Sequence, residues 1–193
     1  FILSYFYGEK YDSKKMAMSV LANKNSPVRY IYSCWLLWVG VMLVILAFVV
    51  RDMFYNYSRS KANIIGIMIA IFAVGACIIS VIFPVGEVKT INTVSAKIHG
   101  FAVAIGFMTL LFVPLLLAVT YMKQKQLGLG WINLVAFVLT FIFFVLFIMS
   151  DKKEFSDTII AYEGVWQRLT LGCMYIPYIA IAIHKFNGKG ELL

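Results

Sequence analysis

Five apolar runs, each close to the length of a bilayer-crossing helix, set the limits on this fold. They lie near residues 30–50, 62–83, 95–121, 129–149 and 164–184. A spanning helix needs about 20 predominantly apolar residues, because each residue advances about 1.5 Å through a hydrocarbon layer about 30 Å thick. No water is available there, so every backbone group must be satisfied within a helix or a closed barrel. No run alternates with period two over a membrane thickness, which excludes a transmembrane β-barrel. The expected fold class is all-α: a polytopic transmembrane helical bundle, one domain over residues 1–193. Phe1 to Tyr7 is apolar and far too short to cross alone. It is expected to be the end of a sixth helix, its start upstream of Phe1. No basic region precedes it and no small-residue cleavage site follows, so it is not read as a cleavable signal peptide.

Composition agrees with run length. Hydrophobic residues make up 62% of the chain and charged residues 13%, with a mean hydropathy of +0.89. A soluble domain is nearer half apolar and a quarter charged. The 16 Phe, 11 Tyr and 4 Trp suit lipid and its interfaces. In a soluble protein a net charge of +8 would suggest nucleic acid. Here the basic residues sit in loops beside the spans, where anionic lipid head groups and membrane orientation account for them. There is no nucleic-acid motif, and no nucleic-acid partner is expected. Cys34, Cys77 and Cys173 all fall inside spans without metal-ligand spacing. They read as small packing residues, so neither a disulfide framework, a metal nor a cofactor is expected.

Loop charge gives an orientation. Arg51, Arg59, Lys61, Lys123, Lys125, Lys185 and Lys189 lie on one side, against Asp52 and Glu191. The other side carries more Lys and Arg in total, but its acids nearly balance them and its first loop, Gly8 to Arg29, is long. Dense positive charge in short loops marks the cytoplasmic side. The expected location is a bacterial plasma membrane, multi-pass, with the C-terminus in the cytoplasm.

Small residues recur at helical spacing. Ser33, Gly40 and Ala47 form one stripe, and Ala62, Gly66, Ala70, Ala73 and Cys77 form another. Such stripes let helix backbones approach closely in a membrane. Pro114 lies inside its span and is expected to bend it.

Two polar stretches interrupt this pattern. One runs from Phe83-Pro84 to His99-Gly100, and Ser95, His99, Ala102, Gly106 and Thr109 follow on one helix face. The other is Tyr162-Glu163-Gly164-Val165-Trp166-Gln167-Arg168. His99 and Arg168 each lie about one turn inside a span that enters from the same side, so their depths match. A charged group inside a span is costly unless paired or facing water, which marks Arg168 as a candidate for function. A snorkelling arginine paired with Glu163 or Glu87 is the structural alternative. The candidate ligand-binding set is His99, Arg168, Glu87, Glu163, Ser95 and Trp166, with His99 and Arg168 in one polar cluster.

The inventory argues against several enzyme classes. Two histidines at opposite ends, His99 and His184, cannot build an intramembrane metal site or ligate one haem. Ser95 and His99 could form a nucleophile and base, but no acid is placed to orient the imidazole. Gly128-Leu129-Gly130 lacks the lysine of a phosphate-binding loop. All acids lie in loops or at span ends, unlike an ion-driven transporter, and no internal repeat suggests one.

The order of these features carries a resemblance. A polar loop, a basic loop, a helix ending Phe83-Pro84, one opening around Ser95-Lys97-His99-Gly100, and a last one opening Gly164-Val165-Trp166-Gln167-Arg168 resemble the bacterial six-helix membrane proteins of domain of unknown function 998. The likeness covers nearly the whole chain. That family is similar in layout to Frag/DRAM-like membrane proteins, some linked to lipid handling. It implies six helices and an outward-facing polar cluster, and no established activity.

The leading functional expectation is a non-enzymatic bundle that binds a membrane lipid or other hydrophobic molecule near its outer face. His99 and Arg168 would meet the head group. A lipid-modifying hydrolase or transferase using His99 and Arg168 is the second reading. A membrane subunit that packs on a protein partner, or on its own copy as a homo-oligomer, is the third.

Overall fold

A computed structural model describes residues 2–84 and 93–186. Among them there is no strand, and five helices are long and apolar enough to cross a membrane. After a short helix α1 (Ile2–Tyr7) come α2 (Arg29–Tyr55), α3 (Arg59–Ile82), α4 (Val94–Lys123), α5 (Leu127–Met149) and α6 (Glu163–Phe186). Each expected span lies within a residue or a few of its helix. The helix ends follow local chemistry: the Ser58 hydroxyl accepts from the Lys61 amide at 3.5 Å and the Thr93 hydroxyl from Ala96 at 3.1 Å, both N-caps.

Small residues position the helices. At Gly40 an added Cβ would stand 2.9 Å from the Cys77 Cβ, and at Gly66 it would stand 3.2 Å from the Ala47 carbonyl oxygen. The two small stripes therefore face each other and form the α2–α3 seam. On its other side α3 meets α4 through Gly75, where a Cβ would lie 2.6 Å from the Ala102 carbonyl oxygen. Here α3 widens into a π-helical stretch, Ala73–Ile79. That deviation was not evident from the sequence, whose apolar spacing fits an ordinary helix. Helix α5 packs along α4, and α6 along α5. The core of this arrangement includes Ile65, Ile69, Leu110, Leu117, Tyr121 and Met174, all fully or almost fully buried. Pro114 and Pro177 are also buried within their helices.

The chain does not close evenly. Helix α2 packs on α3 and α6 on α5, and between α2 and α6 runs a seam with a cavity towards each end.

Residues 8–28, expected as a polar loop, fold over one end of the bundle as a cap. Tyr11, Leu21, Ala22 and Val28 join Tyr32 of α2 in a second small core. The Asn23 side-chain oxygen accepts from the Asn25 amide at 3.1 Å and the Ser26 hydroxyl from Val28 at 3.3 Å, so local turns satisfy the buried polar groups.

Candidate functional site

The cap is held by the first turns of α6. The Val165 amide donates to the Lys14 carbonyl at 3.1 Å, and the Met18 amide donates to the Gln167 side-chain oxygen at 2.6 Å. Arg168 donates through Nη1 to the carbonyls of Ser13 and Gly164, both at 2.7 Å, and through Nη2 to the Tyr11 hydroxyl at 2.9 Å. A guanidinium suits this task because its rigid fork of donors reaches several acceptors at once. Gly164 makes the approach feasible: a Cβ there would fall on the carbonyl oxygens of Ser13 and Met16. The Tyr11 hydroxyl lies 3.3 Å from the carbonyls of Met16 and Ala17 and closes the clasp. Burial pushes the Tyr11 phenol above its ordinary value. The hydrogen bond and charge of Arg168 oppose that rise, while the charges of Glu163 and Asp12 add to it.

Opposite this clasp, the start of the polar hinge folds back on α4. His99, only 6% exposed, places Nδ1 2.9 Å from the Phe83 carbonyl oxygen. A carbonyl only accepts, so Nδ1 carries the proton. One turn earlier, Ser95 donates to the Pro84 carbonyl at 3.2 Å.

Between clasp and hinge lies a cavity of about 520 Å³, roofed by the cap residues Ala17, Met18, Ser19 and Ala22. Its walls are Tyr32, Trp35, Leu36 and Val39 of α2, Phe72, Ala76, Cys77 and Ser80 of α3, His99, Val103 and Phe107 of α4, and Leu171, Gly172 and Tyr175 of α6. Phe147 and Asp151 at the end of α5, with Glu163, Gln167 and Arg168, complete it. His99 and Arg168 thus line one cavity from different helices, together with Glu163, the buried first residue of α6. Ser95 and Trp166 are not among its lining residues. Trp166 stacks on Phe143 at 6.1 Å and donates from Nε1 to the Ile160 carbonyl at 3.0 Å, fixing α6 to α5 and to the preceding turn. Glu87 lies outside the described residues.

Sequence reasoning passed over Asp151, Gln167, Tyr32 and Tyr175 as cavity residues. Gln167 carried a signal, a polar amide one position from Arg168 at the mouth of a span. The tyrosines read only as part of an aromatic load. Among the described residues, no three His, Cys, Asp or Glu side chains gather where they could hold a metal ion. What the arrangement offers is an apolar pocket with a short polar end, open beside Trp35, which is 45% exposed.

The family described as "Protein of unknown function (DUF998)" matches residues 1–184, and the chain belongs to it. No curated protein and no solved structure matches the chain.

Proposed function

We propose that this member of the DUF998 family, a multi-pass membrane protein, binds a membrane lipid or a hydrophobic molecule of similar shape at the capped end of its bundle. The observation that carries the reading is the cavity of about 520 Å³, in which apolar walls meet a polar end made by His99, Glu163, Gln167 and Arg168. Small-molecule sites have this size and this pattern, mostly apolar with a few placed polar groups. The seam between α2 and α6 supports entry from the side. The tail would lie among Trp35, Val39, Phe107 and Leu171, and the head group against His99, Arg168 and Glu163. Ser95 and Trp166 would act indirectly, by holding the ends of α4 and α6. Binding is favoured over catalysis because the Ser95 hydroxyl is turned to the Pro84 carbonyl and away from any role as nucleophile to His99.

Gly172 provides the test. It lines the cavity, and a Cβ there would meet no atom within 4 Å. A leucine at this position should enter the cavity without displacing a wall. Purified in mild detergent, Gly172→Leu should keep the parental Tm and lose the lipid that native mass spectrometry detects on the parent. Gly172→Ala should retain it. Equal lipid on all three proteins would refute the site.

We place the capped end outside the cell and the opposite end in the cytoplasm. Arg51, Arg59, Lys61, Lys123, Lys125 and Lys185 gather at the opposite end, as cytoplasmic loops require. A cysteine at position 125 should resist an impermeant maleimide applied to intact cells, and labelling there would invert this placement.

A further inference from the structure

We propose that the groove between α2 and α6 at the uncapped end is a separate lipid site, which takes an anionic phospholipid with its phosphate on Lys185. The inference does not rest on the reading of the capped cavity.

Two matching stripes make the groove. Leu46, Val49, Val50 and Met53 of α2 are spaced three, one and three residues apart, which puts them on one helix face. Tyr178, Ile181, Ala182 and Lys185 of α6 repeat that spacing. Together they line a groove of about 470 Å³. Each stripe runs for about 10 Å along its helix. Val49 and Ala182 are exposed, so the groove opens sideways, where a membrane presents acyl chains.

Charge selects the head group. Lys185 is the one charged residue in the lining, exposed and next to last in α6, so its ammonium sits at the level of lipid phosphates while its stem follows the apolar wall. Among the described residues that ammonium has no ion pair and no hydrogen bond. The other cations of this end are placed elsewhere: Arg51 donates to Asn63 at 2.8 Å, and Arg59 and Lys61 lie over Tyr55 and Tyr57. Among the described residues Asp52 is the single acid at this end, 3.3 Å from Arg51, against Arg51, Arg59, Lys61, Lys123, Lys125 and Lys185. Such a field attracts anionic lipid. A second copy of the chain is a poor occupant. A two-fold axis through the groove would set one concave face against another and bring Lys185 towards its equivalent.

The test places the photoreactive residue p-benzoylphenylalanine at position 186, where an exposed Phe lines the charged end of the groove. An open groove exchanges its lipid with the micelle, so lipid is supplied at equilibrium. The detergent-solubilised full chain is irradiated in mixed micelles with equal phosphatidylglycerol and phosphatidylcholine, and crosslinked lipid is read by mass spectrometry. Phosphatidylglycerol should exceed phosphatidylcholine by about fivefold, the scale of one lysine at a membrane surface. Lys185→Gln should bring the two close to equal, and Lys185→Arg should keep the excess. Lys123→Gln removes a cation of the same end that does not line the groove, and should leave the excess unchanged. Equal crosslinking of both lipids in the parent would overturn the proposal. So would Lys123→Gln acting as strongly as Lys185→Gln, which would assign the excess to the surface charge of that end as a whole. Crosslinks to a peptide, from a second copy or another helix, would give the groove a different occupant and overturn it too. Gly172→Leu, which fills the capped cavity, should not alter the ratio, and a collapse there would overturn the separate site.

Discussion

The two ends of the bundle are built differently. At the uncapped end the described residues only turn. Asn56 to Ser58 links α2 to α3, and Gln124 to Gln126 links α4 to α5 with Lys125 in the left-handed region at φ 61°. Arg51 and Arg59 stack on Tyr55, and Lys61 lies over Tyr57, so cations and aromatics meet at the surface. At the capped end residues 8–28 and 150–162 form longer, folded connections. Residues 8–28 have their own small core and are tied to α6 by a glutamine, an arginine and a glycine that admits close approach. Short turns suffice to reverse a helix. The additional structure at the capped end roofs a cavity whose polar lining includes Ser80, His99, Glu163, Gln167 and Arg168.

The largest effect should come from Gly164→Val. Its side chain would fall on the Ser13 and Met16 carbonyls, and the cap could not seat. Overpacking and lost clasp bonds together should cost about 3 kcal/mol. Thermal unfolding in detergent would measure this, and limited proteolysis should then cut within residues 8–28 before the helices. Cleavage that begins at the uncapped turns would break the comparison between the ends.

A smaller effect concerns Tyr11. Its folded-state phenol titrates above the ordinary value near 10, so its contribution is complete below that pH and is lost as pH rises through the folded-state value. Capped-end stability should therefore fall in strongly alkaline buffer. Tyr11→Phe should cost about 1 kcal/mol at neutral pH and abolish the alkaline step. A step of unchanged size in the variant would assign it to another group.

The smallest effect belongs to the uncapped end. Lys125→Gly relieves a left-handed backbone at a helix terminus and should stabilise by about 0.5 kcal/mol. Lipid content should not change. Any change in bound lipid would show that the ends are coupled.

Much of the fold was legible because a bilayer fixes helix length. The runs that became α2 to α6 could be counted directly, and the stripes through Gly40, Ala47, Gly66 and Cys77 marked a real seam. The π-helical stretch was not legible, because its apolar spacing fits an ordinary helix and the close approach of Gly75 to the Ala102 carbonyl involves another helix. The cap was read as a loop for a similar reason. Its polar composition gives no periodicity, and the bond from Met18 to Gln167 joins residues 149 positions apart. His99 and Arg168 stood out as polar groups in apolar runs, but the destinations of the Arg168 bonds lay in a segment whose fold local sequence does not encode. Asp151 resembled any charge at a span end until the path of the chain brought it to the cavity.

The central claim is that a lipid enters between α2 and α6 and lodges under the cap. Photocrosslinking with a lipid that carries a diazirine in its acyl chain, followed by peptide mapping, tests it most directly. Crosslinks should concentrate on Trp35, Leu36, Val39, Leu171 and Tyr175 of the cavity and should vanish there in Gly172→Leu. Crosslinks that fall evenly on outward residues such as Phe48 and Ile142, with no enrichment at the cavity and no response to Gly172→Leu, would contradict the account.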